Sequence, residues 1–192
     1  DRGVKMALNS FEYSNNISLA NRIEHVEIIE PNDVERFKRL KVTASMQPNH
    51  GTGVIGKYIT PRVGEEREQF AYIWNGFLKS GVRLALSSDF ATSPFSPLIQ
   101  LADAVFRESP SGLYDGPWYP EQALSFDDAL YAYTQIGAEL SGWGDQIGSI
   151  TVGKYADFVI LDQTLSKPVG RELKSTNVAK TYFAGQLIFP KN

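Results

Sequence analysis

Hydrophobic and polar residues follow periods that predict helices and strands in turn over the first 140 residues. Apolar positions three and four apart predict helices over residues 3–13, 31–40, 65–78, 98–108 and 125–140. Short runs rich in β-branched and apolar residues predict strands over residues 22–29, 42–47 and 82–88. Strands that alternate with helices are typical of an α/β fold with a parallel sheet and right-handed crossovers.

The pattern changes in two connecting segments and in the tail. Residues 49–64 are rich in glycine and polar residues, which predicts a long loop of the kind that often covers a site. Residues 109–120 combine proline, glycine and aromatic residues and predict a second loop. The tail favours β-structure, with a strand over 158–161 and a hairpin around Ala184-Gly185.

Three consecutive predicted strands end in side chains that bind metals. His25 and His50, the two histidines of the chain, follow the first two strands, and Asp89 follows the third. The carboxyl ends of parallel strands meet at one edge, where barrel enzymes place their chemistry. Neutral imidazole and carboxylate suit Zn²⁺, Fe²⁺ or Mn²⁺, and such an ion lowers the pKa of bound water toward ~7. The three residues are therefore a candidate metal site.

Each of these residues also has an ordinary structural explanation. His25 fits a packing or surface role, Asp89 fits a helix N-cap or a salt bridge, and His50 fits a loop position. A catalytic zinc ion usually has three protein ligands, so two histidines and one aspartate are few, and fewer if His50 contacts substrate. Glu24 should point away from His25 on a strand, which favours a packing role or an ion pair, with Arg22 or with a neighbouring helix, over metal binding.

Composition narrows the classes of function. The 192 residues are enough for one ordinary domain, and the lack of cysteine excludes disulfides, zinc–thiolate sites and thiol catalysis. A net charge of −3 without a basic block gives no support for nucleic-acid binding, and no apolar run reaches the ~18 residues of a membrane span. The lack of cysteine fits a cytosolic protein without establishing one. No glycine-rich phosphate loop follows a strand, so a doubly wound binding domain ranks low.

The strand-end motifs form an ordered set. They are Arg22-Ile23-Glu24-His25, residues 44–50 (Ala-Ser-Met-Gln-Pro-Asn-His) and Ser88-Asp89-Phe90, followed by residues 119–125, 129–134 and 148–162. Each motif is weak alone, but the ordered set resembles the amidohydrolase superfamily over nearly the whole chain. The likeness is greatest to the branch that contains N-substituted formamide deformylase-like enzymes.

This resemblance implies a fold and a reaction. Residues 1–146 would be the C-terminal part of a TIM (β/α)8 barrel, strands 6–8 with their helices, and residues 147–192 would belong to the accompanying β-sandwich. His25 matches a metal ligand, Asp89 matches a metal ligand or proton shuttle, and His50 matches a histidine that faces the substrate. The implied reaction is attack of metal-activated hydroxide on an amide-type C–N bond of a small molecule, with Zn²⁺ as the first expectation and Fe²⁺ or Mn²⁺ as alternatives.

The chain also departs from the family pattern. It lacks the His-X-His pair of the first barrel strand, the lysine or carboxylate of the fourth and the histidine of the fifth, and Ala91 follows Asp89-Phe90 where proline is usual. We therefore expect a C-terminal fragment that binds metal weakly, is inactive alone and needs the N-terminal half of the barrel. The alternative is a non-catalytic assembly module, since exposed strand edges favour a homo-oligomer or complementation by a separate N-terminal piece.

Overall fold

The computed structural model describes residues 1–15, 17–18 and 20–190 and has a mixed α/β fold. The helices are α1 (Arg2–Ser14), α2 (Pro31–Arg39), α3 (Pro48–Thr52), α4 (Ile59–Val63), α5 (Glu65–Glu68), α6 (Trp74–Lys79), α7 (Pro97–Phe106), α8 (Phe126–Tyr133) and α9 (Gln135–Leu140). The strands are β1 (Arg22–Glu24), β2 (Thr43–Met46), β3 (Leu84–Leu86), β4 (Phe158–Leu161), β5 (Val178–Phe183) and β6 (Gln186–Phe189). Within these ranges no helix has the length and apolar character that crossing a membrane requires. Residues 191–192, the end of the predicted β-rich segment, lie outside the described residues.

The first three strands form a parallel sheet in sequence order, as the alternating pattern predicts. Ile23 lies opposite Ala44, and Ser45 lies opposite Ala85, with β2 in the centre. Every residue of β2 and β3 is buried, because both faces of such a sheet are covered. The sheet therefore provides a rigid base, and its carboxyl edge carries the residues that follow each strand.

Helices α2 and α6 pack together through aromatic side chains at the centre of the core. Phe37 of α2 and Phe77 of α6 are both fully buried, and their rings meet edge to face with centroids 5.2 Å apart. Burying one such side chain contributes about 1.5–3 kcal/mol to stability. Pro31 begins α2 and Asp33 lies in its first turn, as expected for residues that favour a helix start.

The tail folds into an antiparallel sheet of β4, β5 and β6, and the predicted hairpin is confirmed. Ala184 and Gly185 connect β5 to β6 with φ angles of 48° and 79°. Two consecutive left-handed residues are what a two-residue hairpin turn with the twist of its strands requires. Phe158 of β4 stacks on Tyr182 of β5, with centroids 4.6 Å apart, which fixes the pairing of these strands.

The first predicted strand is wrong in length. It was expected over residues 22–29, but β1 ends at Glu24, because His25 and Val26 have φ angles of 71° and 44°. A left-handed backbone cannot continue a strand. Ile28 makes only an isolated antiparallel bridge, to Ala71.

One predicted loop and two predicted helices are also corrected. The predicted loop 49–64 contains α3 and α4 with a short 3₁₀ turn between them, and the predicted helix 65–78 is broken into α5 and α6. The break occurs where Tyr72, with φ 50°, donates its backbone N–H to the carbonyl of Glu27 at 2.9 Å. Pairing with a distant segment thus replaces the helix that local periodicity predicts. The last predicted helix is similarly divided at Thr134 into α8 and α9.

Ser125 caps the N-terminus of α8. Its hydroxyl oxygen accepts the backbone N–H of Asp128 at 3.1 Å. We expect Ser125→Ala to lower the free energy of unfolding by about 1 kcal/mol, measured by urea denaturation, since a backbone donor loses its acceptor. Ser10→Ala, at an exposed position of α1, is the control and should change stability by less than about 0.5 kcal/mol. Equal losses in the two variants would contradict the capping role.

Candidate metal centre

The structure brings His25, His50 and Asp89 together at the carboxyl edge of the parallel sheet. His25 directly follows β1, His50 lies in α3 just after β2, and Asp89 lies three residues beyond β3. One ligand atom from each residue lies within 4.8 Å of the other two. The proximity predicted from the strand ends is therefore present in the fold.

His50 forms the buried wall of this group. The residue is 3% exposed, with Nδ1 3.6 Å from Glu27 Oε1 and Nε2 3.6 Å from Asp89 Oδ2. Neither ring nitrogen makes a hydrogen bond of normal geometry within the described chain. Buried polar atoms nearly always have a partner, so an ion beside these nitrogens fits the site. That His50 faces the substrate stays a prediction.

His25 forms the exposed side of the group, and its ring is oriented by β2. The backbone N–H of His25 donates to Ser45 at 2.7 Å, and the ring Nδ1 lies 3.0 Å from Gln47 Oε1. Gln47 donates its own amide N–H to Ser87, so its oxygen is the atom that faces the imidazole. Nδ1 of His25 is therefore the donor, which leaves Nε2 as the atom for an ion. The two imidazoles stack with centroids 5.7 Å apart.

His25 and Asp89 both have a left-handed backbone. Their φ angles are 71° and 52°. Such conformations cost on the order of 1–3 kcal/mol in residues other than glycine, and they concentrate at sites where geometry serves function. The Asp89 side chain is 40% exposed, so the group is closed at His50 and accessible at Asp89.

Glu27 belongs to the site but was missed in the sequence. His50 holds the pKa of Glu27 below its usual value, although partial burial raises it. Burial first, and then the charge of Glu27, raise the pKa of the neighbouring Tyr72. The signal was the two-residue spacing from His25 to Glu27, which places both on one face of a strand. The left-handed turn after Glu24 removes that strand, so the spacing was no reliable guide.

Glu24 takes the role predicted for it. Its carboxylate accepts from the guanidinium of Arg22 at 2.5 Å, and both side chains are about half exposed. Two exposed charges of this kind contribute about 0–1 kcal/mol. Glu24 is therefore a surface ion-pair partner, outside the group of three metal-competent residues.

A cavity of about 490 Å³ lies between residues 60–68 and the predicted loop 109–120. It is lined partly by Tyr114, Trp118 and Tyr119. At its wall, the buried Glu68 carboxylate accepts hydrogen bonds from Thr60 Oγ1 at 2.5 Å and Trp118 Nε1 at 2.6 Å. Residues 118–120, within the second predicted loop, all line this cavity. These bonds hold the 109–120 segment against α4 and α5.

The fold resembles that of solved hydrolases. The structure of an uncharacterized metal-dependent hydrolase from Pyrococcus furiosus matches with a TM-score of 0.67 and 32% sequence identity. The match covers 81% of this chain and 30% of that one. The similarity therefore extends over most of this chain but over a minor part of that hydrolase.

Curated relatives show the same relation. N-substituted formamide deformylase from Arthrobacter pascens is 30% identical, over 98% of this chain and 35% of its own length. Protein LONG AFTER FAR-RED 3 from Arabidopsis thaliana is 31% identical, over 99% of this chain and 33% of its own length. The chain thus spans about a third of these relatives. The model of the amidohydrolase family matches residues 1–189, and the chain therefore belongs to the amidohydrolase family.

Proposed function

We propose that this chain supplies part of the active site of a metal-dependent hydrolase that cleaves C–N bonds in amide-type, non-peptide small molecules. The observation that carries the proposal is the convergence of His25, His50 and Asp89 within 4.8 Å, at one sheet edge of an amidohydrolase-family chain. The relative named N-substituted formamide deformylase supports this class of bond.

The proposal includes an assignment of the chain to a larger architecture. Residues 1–146 correspond to strands 6–8 of an eight-stranded barrel with their helices, and residues 147–192 to a segment of a β-sandwich. The parallel order of β1, β2 and β3 and the separate antiparallel sheet of β4, β5 and β6 support this assignment. Further metal ligands would then come from the N-terminal half of the barrel, which makes that half the principal partner.

The residues present fit a divalent ion. His25 and Asp89 would hold it, and the buried ring nitrogens of His50 lie beside the same position. Two imidazoles and a carboxylate suit Zn²⁺ first, with Fe²⁺ or Mn²⁺ as alternatives. When bound, such an ion polarises a carbonyl group and makes water nucleophilic at neutral pH.

We assign the movement of a proton in this reaction to Asp89. Its carboxylate is 40% exposed, so substrate and water can reach it. As a general base it takes a proton from the attacking water, and as a general acid it returns that proton to the leaving nitrogen. Water thereby adds to the carbonyl carbon, the C–N bond breaks, and the products are an acid and an amine. His50 Nε2, 3.6 Å from Asp89 Oδ2, limits where the carboxylate can move.

The test is hydrolysis of an N-substituted formamide with Zn²⁺ present, measured as formate release. Two proteins are assayed in parallel. One is the 192-residue chain, and the other is the protein encoded by the whole reading frame in which its codons lie. We expect turnover by the latter and none by the chain alone. Asp89→Asn should lower the rate by about 10²–10⁴-fold, since a proton carrier is lost, whereas the exposed control Asp145→Asn should retain it. Full activity of Asp89→Asn, or turnover by the chain alone, would contradict the proposal.

A second candidate function is assembly without catalysis. Within the described residues β1 and β3 each pair with β2 alone, and β6 is exposed along its length. Unpaired strand edges favour association with another chain. Light scattering distinguishes this candidate: a stable dimer supports it, and a monomer that binds no apolar dye counts against it.

A further inference from the structure

The side chain of Glu27 lies behind the His50 ring, on the side away from Asp89. Nδ1 of His50 is 3.6 Å from Glu27 Oε1, and Nε2 is 3.6 Å from Asp89 Oδ2. We propose that Glu27 is a positioning residue of the metal site. Its carboxylate accepts a hydrogen bond from Nδ1–H of His50 and thereby directs Nε2 to the ion, as a third protein ligand beside His25 and Asp89. This inference rests on the proposed function and deepens its metal site.

The first argument concerns the proton of the imidazole. A neutral imidazole carries one N–H and one lone pair. A carboxylate only accepts, so Glu27 favours the form of His50 in which Nδ1 holds the proton. Nε2 then presents a lone pair toward the Asp89 carboxylate, which is also an acceptor. Two acceptors that face each other at 3.6 Å repel each other, and a divalent cation between them turns both into ligands.

The second argument is that the same arrangement occurs at the neighbouring histidine. Gln47 Oε1 lies 3.0 Å from Nδ1 of His25, and Gln47 is itself fixed by donation to Ser87 at 2.9 Å. Each imidazole thus has an oxygen acceptor behind Nδ1 and its Nε2 available. Metal-binding histidines usually have such a partner, which fixes the ring and its tautomer. Glu27 occupies the position at His50 that Gln47 occupies at His25, with 3.6 Å to Nδ1 instead of 3.0 Å.

The third argument is that the backbone of Glu27 is held in place. Its carbonyl accepts the backbone N–H of Tyr72 at 2.9 Å, in the segment that interrupts the predicted helix 65–78. Val26, before it, is 2% exposed, and Tyr72 is 1% exposed. Glu27 therefore emerges from a packed turn, and its position relative to His50 is set by the fold.

The test measures Zn²⁺ binding to the 192-residue chain, by competition with a chromophoric chelator. Glu27→Ala should weaken binding by about 10–100-fold, because the His50 ring loses the partner that orients it. Glu27→Gln should restore much of this affinity, since its amide oxygen still accepts from Nδ1. The control Glu24→Ala removes an exposed carboxylate from the same segment and should leave the affinity unchanged. Equal binding by Glu27→Ala and the parent chain, or no binding by the parent chain, would overturn the inference.

A second readout observes the proton on His50 directly. Nitrogen-15 NMR of the histidine rings in the metal-free chain distinguishes the Nδ1–H form, the Nε2–H form and the doubly protonated ring. We expect the Nδ1–H form for His50 and its loss in Glu27→Ala. An Nε2–H form, or a doubly protonated ring between the two carboxylates at pH 7.5–8, would overturn the inference. Neither readout involves hydrolysis, so an inactive enzyme and a wrong assignment of Glu27 give different results.

Discussion

Replacing Arg107 with leucine is expected to lower the free energy of unfolding by about 3–5 kcal/mol. The side chain is fully buried, and its guanidinium donates to the carbonyl oxygens of Trp118 at 2.7 Å, Tyr72 at 2.9 Å and Ala71 at 3.4 Å. Leucine removes all of these donors and leaves the carbonyls buried without them. The cation also lies 4.3 Å from the centroid of Trp74, a contact that leucine cannot replace.

Urea unfolding followed by tryptophan fluorescence measures this effect. Arg62→Leu on the exposed face of α4 is the matched control and should change stability by less than about 0.5 kcal/mol. Arg107→Lys should fall between the two, because one ammonium group cannot reach all three carbonyls in the geometry of a planar guanidinium. A loss below about 1 kcal/mol for Arg107→Leu would show that the carbonyls find other donors.

Replacing His25 with asparagine is expected to weaken Zn²⁺ binding more than replacing a residue that only contacts a metal-binding side chain. The effect of such an indirect replacement is roughly 10–100-fold. Asparagine tolerates a positive φ better than most residues, so the turn at 71° is retained while the imidazole is lost. Asp89→Asn follows the same logic at φ 52° and removes the negative charge from the site. The two variants therefore separate loss of a ligand from loss of the local fold.

Competition with a chelator measures this second effect, and circular dichroism checks that each variant is folded. Asp145→Asn serves as the control for a general loss of negative charge and should bind like the parent chain. Unchanged affinity in both His25→Asn and Asp89→Asn would mean that these residues do not hold the ion.

The sequence was informative where structure depends on local pattern. Alternating strands and helices predicted the parallel sheet, and the strand ends predicted that His25, His50 and Asp89 would meet. The hairpin at Ala184-Gly185 was predicted because glycine adopts a left-handed backbone readily, and Ala184 lies next to that glycine.

Non-local contacts explain what the sequence could not predict. The helix expected over 65–78 is interrupted because Ala71 and Tyr72 pair with residues just after β1, far away in the chain. Glu27 reaches His50 through the same pairing. Arg107 was placed in the predicted helix 98–108, yet its φ of 44° ends α7, and its partners lie 11 to 36 residues away. Local periodicity contains no information on such contacts.

The most direct measurement of the central claim is zinc-edge anomalous diffraction from crystals of the chain grown with Zn²⁺. An anomalous peak is predicted about 2.0–2.2 Å from an imidazole nitrogen of His25 and from a carboxylate oxygen of Asp89. A peak at that position would place the ion at the carboxyl edge of the parallel sheet. Zinc bound elsewhere on the chain, with no peak between His25 and Asp89, would contradict the account.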